Sequence, residues 1–194
     1  MKLRTFNNLL SFVVVGLGLY IAMIPFLPQV KFALRDTSPE ASAPYTGELA
    51  QEVGSHTTAE APKENRLVIP SIHLNEPIME GNSIAIISKG GTWRRPQSAT
   101  PLDDGNTVIV GHRYYGSNVS TFYHLDKVLV GQKLALYWEG QEYLYEVTES
   151  KVVGPSAVEV EAPTQDKRLT IYTCTPIWTA KNRLVIIAKP LGAS

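Results

Sequence analysis

A succession of short, strongly β-forming runs fills the C-terminal part of the chain and limits its fold more than any other feature. Valine, isoleucine, tyrosine and threonine dominate these runs, and turn residues separate them. Alternation is clearest at Tyr143, Tyr145 and Val147, which share one face of a strand, and Glu139-Gly140 suits a tight hairpin. The runs are Arg66–Ile72, Asn106–His112, Lys133–Trp138, Gln141–Val153, Arg168–Cys174 and Arg183–Lys189.

Helical patterns are scarce in the same region. Only Ser83–Lys89 and Phe122–Leu129 favour a helical turn or two. The chain is 44% hydrophobic, which is enough for a packed core. Many short strands with few helices therefore predict an all-β domain, and the pattern leaves a barrel and a sandwich equally open.

An uncharged apolar run from Leu9 to Leu27 precedes this domain. It has about the 20 residues that a helix needs to cross a bilayer. Lys2 and Arg4 come before it, so the positive-inside tendency places the N-terminus in the cytoplasm. A cleaved signal peptide is the alternative, but the small residues Ala41-Ser42-Ala43 lie too far beyond the run for normal cleavage. With either interpretation the rest of the chain is exported.

The composition divides the chain into four segments. We assign residues 1–8 to a cytoplasmic N-terminus, 9–30 to a transmembrane anchor, 31–65 to a flexible stalk and 66–194 to the β-rich domain. The stalk is polar, rich in Pro, Ser, Thr, Ala and Glu, and without periodicity. As a random coil it would hold the domain on the order of 30 Å from the membrane. The chain has no net charge and no basic stripe, which argues against a nucleic-acid-binding protein.

The only cysteine, Cys174, needs an explanation in an exported domain because it cannot form an internal disulfide. It ends one β-run, as His112 ends another, and Arg183 opens a third. A glycine before His112 and Pro176 after Cys174 favour ending the strands there. Each residue also has an ordinary interpretation, as a buried small hydrophobe, a hydrogen-bonded histidine or a solvated strand end. Together they predict a thiol, an imidazole and a guanidinium at one rim.

The surrounding motifs resemble those of the sortase family over about residues 66–190. Sortases carry a Thr-Leu-x-Thr-Cys-like signature, and the matching stretch is Leu169–Cys174. The family histidine follows an apolar strand as a Gly-His pair, as in Val108–Arg113, and the family arginine opens a strand, as in Asn182–Val185. Phe122–Val147 is similar to the family's loop, turn and hairpin, with Gln132 where Asp is common. The order His, Cys, Arg also matches.

The resemblance implies a closed β-barrel of about eight strands with short helices in its loops, preceded by one transmembrane helix. It implies a cysteine transpeptidase in which the Cys174 thiolate forms a thioester with the substrate. His112 would move protons, and Arg183 would stabilise the oxyanion or hold the substrate backbone. Thr173 and Trp178 are the expected substrate-binding residues.

The resemblance also implies the partners. These are secreted proteins with a Leu-Pro-x-Thr-Gly-like sorting motif and an amine acceptor in a cell-wall peptide or a pilin lysine. No metal or other cofactor is expected, since His56, His73 and His124 are scattered and no paired-cysteine spacing occurs. The family subgroup, and with it the choice between general anchoring and pilus assembly, stays open.

Two alternatives belong to other classes. One is a different exported thiol peptidase or acyltransferase, such as an L,D-transpeptidase-like enzyme, but the Ser-His-Gly-Cys-like setting of that family is absent. The other is a catalytically inert, membrane-tethered β-barrel that binds a partner, which predicts no thiol reactivity at Cys174.

Overall fold

The protein was analysed as a computed structural model that describes residues 2–34, 61–115 and 118–191. Most of the predicted stalk, residues 35–60, lies outside the described residues. The chain divides into two compact units, Met1–Thr37 and Ser38–Ser194, and each is described by itself.

The N-terminal unit is helical from end to end of its described residues. Helix α1 spans Lys2–Met23, a 3-10 turn spans Ile24–Phe26, and helix α2 spans Leu27–Ala33. A proline lies in the first two positions of both the 3-10 turn and α2, where its missing N–H is not needed by the helix. The 28-residue segment Phe6–Ala33 is long and apolar enough to cross a membrane. The residues predicted as the anchor, 9–30, fall within this segment.

The second unit contains a closed barrel of eight strands in the order β1-β2-β3-β4-β9-β10-β8-β7, and β5 and β6 form a separate two-stranded sheet. The β2–β3 and β4–β9 pairs are parallel, and the other barrel pairs are antiparallel. The strands are β1 Arg66–Ile69, β2 Leu74–Met79, β3 Thr92–Arg94, β4 Asn106–Val110, β5 Tyr114–Tyr115, β6 Asn118–Val119, β7 Lys133–Trp138, β8 Gln141–Val153, β9 Arg168–Thr175 and β10 Asn182–Pro190.

This architecture confirms the predicted all-β fold and decides for the barrel. The six predicted runs correspond to β1, β4, β7, β8, β9 and β10. The expected hairpin is confirmed: Glu139 and Gly140 have φ of 52° and 76°, and they connect β7 directly to β8. Two runs are shorter than predicted. Strand β1 ends at Ile69 because a 3-10 turn begins at Pro70, and β4 ends at Val110, before His112.

Short 3-10 helices occupy the loops, as expected. Those at Ile84–Lys89 and Leu125–Lys127 fall within the two stretches predicted to be helical. Two further ones, Pro70–Ile72 and Val158–Glu161, were not predicted. They are too short to show a helical period in the sequence.

The β4, β9 and β10 strands are buried on both faces. Their interior side chains fill the barrel and are fully buried, among them Ile109, Ile171 and Ile186. On the outer face, Ile87 and Trp93 cover Val108 and Val110, and Val160 covers Val185 and Ile187. Tyr172 packs against both outer clusters. This outer face continues along the strands to the positions of the predicted site.

Candidate active site

Strand pairing places Cys174 directly opposite Arg183. These two residues are register partners in the antiparallel β9–β10 pair, next to the turn that joins the strands. Cα atoms of directly opposed residues lie about 4.5–5.5 Å apart, and their side chains project from the same face of the sheet. Two residues along each strand, Tyr172 opposes Val185 on the outer face. Cys174 and Arg183 therefore share that outer face.

His112 comes to the same place through the parallel β4–β9 pair. The register runs from Asn106 opposite Arg168 to Val110 opposite Tyr172. Continuing it by two residues brings His112 level with Cys174, on the face that Val110 and Tyr172 share. The parallel pair thus brings His112, which is distant in the chain from Cys174 and Arg183, to the end of the strands that carry them. All three predicted catalytic positions lie at one end of three neighbouring strands.

Partial burial defines the environment of the site. Cys174 and His112 are both half-buried. Desolvation by burial lowers the pKa of His112 below its ordinary value of 6.5, because the imidazolium loses hydration. The backbone carbonyl of His112 accepts a hydrogen bond from the Phe122 N–H at 3.0 Å, which ties the histidine to the following loop.

The Arg183 guanidinium is held by its own turn. Nη1 donates to the carbonyl oxygens of Ala180 at 3.2 Å and Asn182 at 3.0 Å. A guanidinium carries five N–H donors. Two are on Nη1, which makes these bonds, and the other three are on Nε and Nη2. The guanidinium carries a permanent positive charge, and the residue that bears it lies directly opposite Cys174 in the strand pair.

The two predicted substrate-binding residues have different surroundings. Thr173 is buried, and its hydroxyl donates to the carbonyl oxygen of Gly111 at 2.8 Å. Trp178 lies in the β9–β10 turn with 70% of its surface exposed. Its ring meets that of Tyr114 edge-on, with 4.9 Å between ring centroids. Trp178 and Tyr114 thus form an aromatic pair beside the site, whereas the Thr173 side chain faces the interior.

The structure also places polar residues near the site that the sequence did not indicate. The Tyr172 hydroxyl donates to one carboxylate oxygen of Glu161, and Arg95 Nε pairs with the other at 2.9 Å. Burial and the hydrogen bond to Glu161 raise the pKa of Tyr172. Arg113 is also unexpected, since its charged side chain is only 7% exposed. An arginine next to a histidine carries no sequence signal that it is buried.

A half-buried thiol, an imidazole and a guanidinium are the functional groups that acyl transfer through a thioester can use. Within the described residues, no three His, Cys, Asp or Glu side chains lie together in a way that could hold a metal ion.

The chain matches the model of the Sortase domain over residues 67–191. Among curated proteins, it is 28% identical to Sortase A of Listeria monocytogenes over 123 residues, which cover 63% of this chain and 54% of that protein. It is 24% identical to Sortase D of Bacillus subtilis over 168 residues, covering 84% of this chain and 81% of that protein. The chain thus matches little more than half of the length of the Listeria relative.

Solved structures show the same barrel. Sortase A from Corynebacterium diphtheriae aligns with a TM-score of 0.61 and 29% identity, covering 70% of this chain and 64% of that chain. A Clostridium perfringens Sortase D5 transpeptidase aligns with a TM-score of 0.59 and 23% identity, covering 80% of this chain and 96% of that chain. The second match, at its low identity, supports the fold alone.

Proposed function

The chain belongs to the sortase family, and from this premise we propose that it is a membrane-anchored cysteine transpeptidase with Cys174, His112 and Arg183 as its catalytic residues. The observation that carries the proposal is the strand register. Cys174 opposes Arg183 across β9–β10, and His112 reaches the same level from β4. A nucleophile, a proton-transfer group and a permanent cation then surround one position, which acyl transfer requires.

In the first half-reaction, the Cys174 thiolate attacks a backbone carbonyl carbon in the sorting motif of a secreted protein. The C–N bond breaks, a thioester forms, and the leaving amine takes a proton from the His112 imidazolium. The lowered pKa of His112 makes the imidazolium a minority form near neutral pH. A proton held less tightly is also transferred more readily to the leaving amine.

In the second half-reaction, an amine acceptor attacks the thioester carbonyl carbon. The new amide bond forms, the Cys174 sulfur leaves as thiolate, and the neutral His112 takes the proton that the amine loses. This step restores the thiolate and imidazolium with which the cycle began. The acceptor is proposed to be an amine of a cell-wall peptide or of a pilin lysine, and the donor a Leu-Pro-x-Thr-Gly-like motif.

Three side chains are assigned to binding and charge stabilisation. Arg183 supports the developing oxyanion or the substrate backbone with its guanidinium donors. Trp178 lines the substrate groove, consistent with its exposed position against Tyr114. Thr173 is also assigned to substrate binding, through its backbone, because its hydroxyl donates to the Gly111 carbonyl oxygen and points away from the outer face.

The N-terminal segment is proposed to anchor the enzyme in the cell membrane as a single pass. At 1.5 Å per residue, a 28-residue helix is about 42 Å long, which exceeds the hydrocarbon core of about 30 Å. Lys2 and Arg4 before the apolar run favour a cytoplasmic N-terminus and an extracytoplasmic catalytic domain. In that orientation the site faces exported substrates.

The test is a ligation assay with the full chain solubilised in detergent. A peptide with a Leu-Pro-x-Thr-Gly-like motif is supplied with and without an amine acceptor, and mass spectrometry follows both the ligated product and the adduct on Cys174. We expect a thioester adduct and amine-dependent ligation. Cys174→Ala should abolish both, and His112→Ala and Arg183→Ala should each lower kcat/KM by at least about a hundredfold.

A matched control is Lys189→Ala, which removes an exposed cation from the same strand as Arg183 at the other end of the barrel. It should leave kcat/KM within about twofold. Ligation that persists unchanged in Cys174→Ala or His112→Ala would overturn the assigned roles. Cleavage that does not depend on the amine would point instead to a thiol peptidase.

A further inference from the structure

Two buried hydrogen bonds join the residues on either side of His112 to the residues on either side of Cys174. Before the reacting pair, the Thr173 hydroxyl donates to the Gly111 carbonyl oxygen at 2.8 Å. After it, Arg113 Nη1 donates to the Thr175 hydroxyl oxygen at 2.7 Å. Thr173, Thr175 and Arg113 are 1%, 9% and 7% exposed, so water competes little for these bonds.

Arg113 makes contacts in two further directions. Its Nε donates to the Tyr123 carbonyl oxygen at 3.2 Å, and its Nη2 pairs with Asp126 Oδ1 at 2.8 Å. The guanidinium is planar, so three contacts made by three different nitrogens define its position and orientation. A buried charge is tolerated only when it is paired and hydrogen-bonded, and the partly exposed Asp126 carboxylate supplies the pairing here.

Strand alternation separates these contacts from the reacting groups. Gly111 and Arg113 flank His112, and Thr173 and Thr175 flank Cys174, so the linking side chains lie on the face opposite the catalytic ones. Arg113 and Thr175, which have no assigned contact with the substrate, lie on that opposite face. They can influence the reaction only by fixing the backbones that carry the imidazole and the thiol.

We propose that Arg113 and Thr175 are positioning residues that hold His112 level with Cys174 beyond the point where strand β4 ends. The inference rests on the proposed function, because it assumes that the His112 and Cys174 side chains react as a pair. The regular β4–β9 ladder ends at Val110 and Tyr172, so its main-chain pairing stops two residues before His112 and Cys174. The Arg113–Thr175 bond continues the connection past the site. Misplacement of reacting groups by about 1 Å can cost about a hundredfold in rate.

The competing interpretation is a purely structural ion pair, and the chain offers a matched control for it. Thr170 Oγ1 donates to Asn106 Oδ1 at 2.7 Å, also buried and also between β9 and β4, but at the far end of both strands. Thr170→Val and Thr175→Val each remove one threonine hydroxyl from strand β9. A structural role predicts parallel effects, whereas a positioning role predicts effects on catalysis from Thr175 alone.

The experiment uses the full chain in detergent and the variants Thr175→Val, Thr175→Ser, Arg113→Lys and Thr170→Val. We expect Thr175→Val and Arg113→Lys to lower kcat for ligation by about ten- to a hundredfold with KM within about twofold. Thr175→Ser keeps the acceptor oxygen and should recover kcat to within about threefold of the wild type. Thr170→Val should lower Tm about as much as Thr175→Val does, and leave kcat within about twofold.

A second measurement needs no substrate. Cys174 is the only cysteine, so the rate of iodoacetamide alkylation against pH reports this thiol alone, and a change in its coupling to His112 changes the profile. The profiles of Thr175→Val and Arg113→Lys should shift towards that of His112→Gln, and the profile of Thr170→Val should overlay the wild type. If the wild type fails to ligate the peptide but these shifts occur, the proposed function fails while the positioning role stands. Equal kcat and alkylation profiles for Thr175→Val and Thr170→Val, or no recovery in Thr175→Ser, would overturn the positioning role.

Discussion

Replacing Gly111 with alanine tests the packing of Gly111 against Phe122, next to His112. Gly111 is buried and its φ lies outside the left-handed region, so alanine can adopt the backbone without torsional strain. The new Cβ, however, would lie 2.7 Å from Phe122 Cδ2 and 2.8 Å from Cε2. Phe122 is fully buried, so its ring has little room to move away.

The size of the effect follows from two opposing contributions. Overpacking of a well-filled core costs about 1–3 kcal/mol. The smaller entropy of the unfolded alanine chain offsets about 0.4–1 kcal/mol of this. The net loss in free energy of unfolding is about 1–2 kcal/mol, or roughly 4–8 °C in Tm for a domain of this size. Ligation should also slow, because Phe122 N–H bonds to the His112 carbonyl and a displaced Phe122 moves that carbonyl.

The assay is thermal unfolding of the full chain in detergent, followed by near-ultraviolet circular dichroism, together with the ligation rate. Gly154→Ala is the control, since no atom lies within 4 Å of its added Cβ, and its Tm should change by less than about 4 °C. In the double variant Gly111→Ala/Phe122→Leu, the smaller leucine side chain makes room for the added methyl group. The losses in free energy of unfolding of the two single variants should therefore sum to more than the loss of the double variant. Strictly additive losses, or a Gly111→Ala Tm equal to that of Gly154→Ala, would refute the steric argument.

Two further predictions concern His112 and Trp178. Because burial lowers the pKa of His112 below 6.5, the unfolded chain binds more protons than the native chain below that pH, and stability is lost as the pH falls. His112→Gln should therefore flatten the fall in Tm between about pH 7.5 and about pH 5, and equal slopes would contradict this. Trp178→Ala should raise KM for the peptide several-fold with Tm nearly unchanged, since the ring is 70% exposed. Leu129 is also an exposed hydrophobic residue, and Leu129→Ala should change neither KM nor Tm. An equal rise in KM in Leu129→Ala would argue against a role of Trp178 in the substrate groove.

The elements that could be predicted are those whose signals are local. Residue-type enrichment and alternation identified the runs that form β1, β4 and β7–β10. The Glu139-Gly140 pair indicated the hairpin, and the positive φ of both residues in the structure agrees with it. Among the barrel strands, β2 and β3 were missed. β2 contains Pro77 and lacks an alternating burial pattern, and β3 is only three residues long. Their partners, rather than their own sequences, make them strands.

Closure of the barrel lay beyond the sequence for a related reason. The pairing of β1 with β7 joins residues near 67 to residues near 136, and that pair is what distinguishes a barrel from an open sandwich. Periodicity describes which face of a strand is apolar, but it does not say which strand lies alongside. The resemblance to a family supplied the barrel where the periodicity could not.

The sequence by itself determined the identity, order and strand-end placement of Cys174, His112 and Arg183, because each follows or opens a recognisable apolar run. Only the tertiary structure decided how the strand ends that carry them lie relative to one another. The parallel β4–β9 pair and the antiparallel β9–β10 pair set the register that brings them to one level. Burial of Arg113 against Thr175 was likewise a tertiary outcome. The physical reason is that side-chain periodicity is a property of neighbouring residues, whereas strand pairing and burial depend on contacts between residues distant in the chain.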